Sequence, residues 1–163
     1  MIELWQSGPE LYRNALISVA VVGAFTFVLL FFVSAPYGRH HRAGWGPSMP
    51  ARMAWIAMEA PSLLSFAVAA WIFALSGWSV WLLATLFAAH YAYRSLVFPF
   101  RIKGGGKPKP WLTVVIAVVF NLVNGSANAF DLSRVSTPDP LWLGLGLALF
   151  VAGAAINHHA DWV

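Results

Sequence analysis

A single carboxylic acid, Glu59, stands inside the stretch Trp55-Ile56-Ala57-Met58-Glu59-Ala60-Pro61-Ser62, among residues that otherwise read as a membrane-crossing helix. An ionisable group in hydrocarbon is costly, so an intramembrane Glu is by default a functional residue whose partner lies elsewhere in the chain. The strongest partners follow the apolar run 82–89: His90, Tyr91, Arg94 and Ser95. Tyr91 and Arg94 are three residues apart and His90 and Arg94 four, so all three share one side of a helix. A phenol beside a neutral carboxyl group is a proton-donating pair, and Tyr is protonated at neutral pH. Such a pair can hydrogen-bond a ligand carbonyl and stabilise negative charge developing on its oxygen. Other uses of the same residues stay open. Arg94 could snorkel to the headgroups, Tyr91 could be an interfacial aromatic, and a Glu59–Arg94 or Glu59–His90 bridge could simply tie two helices together.

Two further polar sets accompany this pair. Asn121, Asn124, Asn128 and Asp131 recur at three- and four-residue spacing beside Gly125, making one helix stripe. Amide hydrogen bonds between helices are the preferred reading of that stripe; a ligand contact is the other. Asn157 and Asp161 are four apart on one face, with His158 and His159 between them. Adjacent His residues point about 100° apart on a helix, which makes them poor joint ligands for one metal ion. A ribose, amide or phosphate contact suits Asn157 and Asp161 better, the bland alternative being a polar helix end. No metal site is expected.

The elements that must position these groups are membrane helices. Of 163 residues 60% are hydrophobic and 10% charged, with a mean hydropathy of +0.69; a soluble domain carries roughly 25% charged residues. With no cysteine there is neither a disulfide framework nor a Cys-based metal or redox site. Five apolar segments, about 15–35, 53–75, 78–99, 111–130 and 141–158, each approach the roughly 20 residues that cross a bilayer. No stretch alternates over barrel-strand length, so the fold class is an all-α, polytopic transmembrane bundle in one domain, 1–163. Pro61, with no N–H, can bend its helix one turn from the acid and open space for a flat ligand.

Arg39, Arg42 and Arg52 follow the first segment, and Arg101, Lys103, Lys107 and Lys109 the third, so both loops are expected on the cytoplasmic side. The amino terminus is then outside, and His158-His159-Ala160-Asp161 emerges inside. The +4 charge sets topology and is no nucleic-acid signal. The run Lys103 to Pro110 matches no Walker or dinucleotide fingerprint and reads as a linker. The start, lacking a basic n-region, reads as no signal peptide. The abrupt end at Asp161-Trp162-Val163 reads as the front portion of a longer protein.

At these residues the sequence resembles the steroid 5α-reductase family. The shared segments are Pro36-Tyr37-Gly38-Arg39-His40, Pro50-Ala51-Arg52-Met53-Ala54-Trp55 leading to Glu59-Ala60-Pro61-Ser62, His90-Tyr91-Ala92-Tyr93-Arg94, Asn124-Gly125, and Gly153 through Asp161. Each is weak alone; their order and spacing make the combination specific. Two departures are Met58, where the family often has a polar residue, and Ala92-Tyr93, where it has an aromatic-His step. The resemblance implies a seven-helix fold, of which five helices are present, with the steroid in an intramembrane cavity and NADPH entering from the cytoplasm. By resemblance Glu59 and Tyr91 hold the 3-keto oxygen, Trp55 and Phe120 line the pocket, and Arg94, Asn157 and Asp161 contact NADPH. The family's last helices and further cofactor contacts have no counterpart in these residues.

The implied reaction is NADPH-dependent reduction of the 4,5 double bond of a 3-oxo-4-ene steroid. Related alternatives are reductases of enoyl-CoA thioesters, polyprenols or sterol alkenes; an isoprenylcysteine-type methyltransferase using S-adenosylmethionine; and a non-catalytic membrane scaffold or transporter subunit. The expected partners are a hydrophobic enone and the lipid bilayer, without nucleic acid, in a monomer. The membrane would be a bacterial inner membrane or the endoplasmic reticulum.

Overall fold

A computed structural model describes residues 2–33, 45–102, 106–135 and 138–162, with the side chains of 2–9 and 162 left aside. The shared segment Pro36 to His40, the loop cations Arg39, Arg42 and Lys103, and the start of the Gly run lie outside the described residues.

The chain is 82% helical. Helix α1 spans Ile2–Leu29, α2 Ala51–Ile72, α3 Trp78–Ala92, α4 Phe98–Arg101, α5 Trp111–Ser133 and α6 Pro140–Trp162. A π-helical turn, Tyr93–Val97, joins α3 to α4 without a break. Among the described residues four helices are long and apolar enough to cross a membrane: α1 from Glu10, α2, α5 and α6. The third apolar segment differs from the expectation of one uninterrupted helix, because the extra residue of the π turn divides it into a 15-residue α3 and a four-residue α4. Helix α1 also starts earlier and ends sooner than hydropathy implies, with turns carrying the chain on to Val33. Backbone hydrogen bonding propagates past the edge of an apolar window, so composition does not fix helix ends. Helix α6 runs beyond the expected 158, which sets Asp161 on regular helix.

Two short strands form where only loops were expected. Ser48–Met49 pairs antiparallel with Lys109–Pro110, and the Trp111 amide donates to the Pro47 carbonyl. The residues that lead into α2 and α5 therefore pair at the same end of the two helices.

Helices α2 and α5 form the spine. At their crossing a Cβ on Gly125 would overlap the Ser62 carbonyl and the Ser65 hydroxyl, so only glycine admits this approach. Along the pair the core divides into two apolar clusters, Ala54, Met58 and Val114 at one end and Phe66, Ala69 and Ala129 towards the other. Between them lies a polar layer of Ser62 and Asn121, both buried. Asn121 donates its side-chain amide to the Met58 carbonyl at 2.6 Å, and Ser65 bridges the Ser62 and Asn121 carbonyls at 3.4 Å. No buried side-chain nitrogen or oxygen among the described residues lacks a hydrogen-bond partner. In lipid, where apolar contact alone drives little helix association, small residues and amides of this kind hold helices together.

Candidate functional site

The polar residues converge on Arg94. Its guanidinium reaches Glu59 Oε1 of α2 at 3.3 Å and Asp161 Oδ2 of α6 at 3.3 Å, and its side chain is only 12% exposed. The same guanidinium lies over the rings of Trp55 and Phe98, 4.7 and 4.6 Å from their centroids, while those rings meet edge to face at 5.0 Å. A planar cation stacked on aromatic faces and forked between two carboxylates uses what distinguishes Arg from Lys. Of the uses that the sequence left open, the Glu59–Arg94 bridge forms, and snorkelling is excluded by the burial and the second bond to Asp161.

The π turn explains how one short stretch serves two neighbours. Tyr91 lies in the last turn of α3, and Arg94 on the π turn that follows; the inserted residue rotates Arg94 relative to a regular helix. Ser95, fully buried, donates to the Tyr91 carbonyl at 2.6 Å across this turn.

Tyr91 is held separately from Arg94. Asn124 of α5 donates its side-chain amide to the Tyr91 hydroxyl oxygen at 2.7 Å and to Ser62 Oγ at 3.2 Å. Interhelical amide bonding, the preferred reading of the Asn stripe, thus holds for Asn121 and Asn124. Asn128 instead bonds within α5, donating to the Asn124 carbonyl at 2.8 Å and to Asn124 Oδ1 at 3.1 Å.

In front of Tyr91 an open, mostly apolar groove of about 310 Å³ runs between α3 and α6, lined by Phe87, His90, Tyr91, Leu149, Phe150 and Gly153. Phe87 and His90 flank the Tyr91 ring at 4.7 and 5.2 Å. A second groove of about 190 Å³ lies between α1 and α5 and includes Tyr12, Phe120, Asn124, Asn128 and Asp131.

Glu59, Tyr91, Arg94, Asp161 and Trp55 thus gather at one site. Asn157 is half-buried one turn before Asp161, and His158 packs edge-on against Tyr93 at 4.2 Å. Phe120 stands apart, half-exposed in the second groove. Three contributors were not singled out from sequence: Ser62, Phe98 and Lys109, whose ammonium lies 5.3 Å from the Trp55 ring centroid. Ser62 is three residues after Glu59 and Phe98 four after Arg94, helical spacings that share their faces. Lys109 has no such signal, since it arrives through the paired loops.

No family model matches the sequence. Among curated proteins, 3-oxo-5-alpha-steroid 4-dehydrogenase 1 of Bos taurus is 39% identical over 152 residues, covering 87% of this chain and 59% of that protein. Steroid 5-alpha-reductase DET2 of Arabidopsis thaliana is 33% identical over 165 residues, covering 92% and 62%. The Homo sapiens 3-oxo-5-alpha-steroid 4-dehydrogenase 1 is 32% identical over 154 residues, covering 87% and 58%. The chain thus spans about three-fifths of the length of these relatives. Over most of its own length it is similar to curated proteins named as steroid 5α-reductases.

Proposed function

We propose that this chain carries the steroid-reducing site of a membrane-embedded, NADPH-dependent 3-oxo-4-ene steroid 5α-reductase. The observation that carries the reading is the convergence of Glu59 and Asp161, from two helices, on Arg94, with Tyr91 three residues before Arg94 and hydrogen-bonded by Asn124. The names of the relatives supply the reaction class. In this reading the two basic loops face the cytoplasm, the amino terminus lies outside, and the cofactor enters beside α6. The seven-helix fold would be completed by helices beyond these five, around a single monomeric chain.

The groups near Asp161 fit a nicotinamide dinucleotide in chemistry: a guanidinium and an amide for phosphate and carboxamide oxygens, and a carboxylate for ribose hydroxyls. Arg94, Asn157 and Asp161 would hold it. Bound NADPH supplies the hydride that the β-carbon of the enone, C5, accepts.

The chain's own residues act on the other end of the conjugated system. As C5 takes the hydride, the electron pair of the double bond moves towards the ketone and negative charge gathers on the C3 oxygen. Tyr91 donates its O–H to that oxygen, and Glu59 would add a second bond once it takes up a proton and gives up its ionic contact with Arg94. C4 then takes a proton that comes from water, leaving hydroxide to be neutralised by solvent, and the ketone is restored. Arg94 touches both Glu59 and Asp161, so charge at the ketone end and at the cofactor end is balanced at one guanidinium. The apolar groove and Trp55 exclude water from the sterol face; Phe120 would reach the substrate only from the α1–α5 side.

The reading is tested in the full protein with a substrate panel: testosterone, progesterone, an enoyl-CoA and a polyprenol, each with NADPH. Reduction of the steroids, lowered about 10²- to 10³-fold in both Tyr91→Phe and Glu59→Gln at equal expression, is expected. Turnover of the thioester or polyprenol alone, or near-normal steroid turnover in both variants, would overturn it.

A further inference from the structure

The hydrogen bonds around Tyr91 run in a defined direction. Asn128 donates to Asn124 Oδ1 at 3.1 Å, which occupies the amide oxygen and turns the Asn124 NH2 group the other way. That NH2 group has two hydrogens. One goes to the Tyr91 hydroxyl oxygen at 2.7 Å and the other to Ser62 Oγ at 3.2 Å. Ser62 also hydrogen-bonds the phenol, and with its oxygen accepting from Asn124 its own O–H is turned to the Tyr91 oxygen. Ser62 is fully buried against α5, and Gly125, next to Asn124, admits the close backbone approach there. The amide is thus fixed at both ends, on the most closely packed helix pair of the fold.

A phenol has one proton to give. A neighbouring amide oxygen would capture it, whereas a neighbouring N–H leaves it available and polarises the O–H further by donating to the same oxygen. We infer that Asn124 is a positioning residue for Tyr91, its amide oriented by Asn128 so that the phenol accepts from the protein and donates to the ligand ketone. The inference rests on the proposed role of Tyr91 as the ketone donor and adds two residues to the steroid site. Neither touches the substrate in this account; both act through the phenol. The Asn stripe then has two duties along one helix face: Asn121 fastens α5 to α2, and Asn124 with Asn128 sets the polarity of the donor.

A double-mutant cycle in the full protein tests this, with kcat and KM for testosterone measured at saturating NADPH. Asn124→Leu is expected to lower kcat about 10- to 100-fold, the range found for outer-shell partners of other sites, with KM little changed. In a Tyr91→Phe background the same change is expected to have no further effect on kcat, because the group it acts through is gone. Asn128→Leu, which leaves Asn124 in place, is expected to show a smaller loss that also vanishes in that background, and it decides the matter where Asn124→Leu does not accumulate. A loss that multiplies with that of Tyr91→Phe would mark a merely structural role and overturn the inference, as would normal kcat in both variants. Failure of the underlying reading looks different: Tyr91→Phe itself would then leave turnover unchanged.

Discussion

Arg94 and Asp161, separated by 67 residues of chain, meet at 3.3 Å, and the same guanidinium makes an equal bond to Glu59. With the acids 14% exposed, removing the cation would leave two buried carboxylates without a partner. Breaking a buried pair by deleting one side commonly costs about 3–5 kcal/mol. Arg94→Met is therefore expected to unfold at markedly lower temperature in detergent, and Arg94→Met combined with Glu59→Gln to recover part of the loss. Arg94→Lys is expected to fall between, since an ammonium lacks the planar, pre-organised fork that meets both acids while lying over the Trp55 and Phe98 rings. Equal unfolding temperatures for wild type and Arg94→Met would show the bridge to be energetically idle.

Gly125 offers a test of the spine alone. A methyl group there meets the Ser62 carbonyl and the Ser65 hydroxyl, and backbone cannot step aside cheaply. Gly125→Ala is expected to cost about 1–3 kcal/mol, the usual range for overpacking, whereas Gly146→Ala, with open space around its Cβ position, should cost little. Thermal unfolding of the two variants side by side reads the difference.

How far the sequence foretold this site depends on which interactions are local. Glu59, Tyr91 and Arg94 were legible because charges and phenols are conspicuous in an apolar run. Helical spacing was enough to place Asn121, Asn124 and Asn128 on one face. Whether Arg94 snorkels or bridges was not legible, because its partners lie on α2 and α6 and only packing brings them within reach. The π turn was not read from the sequence, although Pro99, four residues after Ser95, lacks the N–H that a regular helix would bond to the Ser95 carbonyl. The separation of Phe120 from Trp55 reflects rotation of α5 about its axis, a degree of freedom that apolar composition leaves open.

Lys109 gives a pH dependence. It lies outside the membrane helices, 8% exposed beneath the paired loops, and burial pushes its ammonium below the ordinary lysine range. Below the unfolded lysine value the unfolded chain binds more protons than the folded one, so stability rises with pH through that window. Wild type is expected to gain stability relative to Lys109→Met as pH climbs from the folded value towards 10.5. Parallel curves for the two proteins across that range would exclude the effect.

In the proposed reaction, hydride adds to C5 of an enone whose ketone is held by Tyr91. The most direct measurement incubates the full protein with testosterone and NADPH carrying deuterium at the transferable position, and locates the label in the product by NMR. Deuterium at C5 of a 5α-reduced ketosteroid, formed far more slowly by Tyr91→Phe, is the predicted result. No labelled steroid from active, folded protein, or label at a carbinol carbon after ketone reduction, would contradict it.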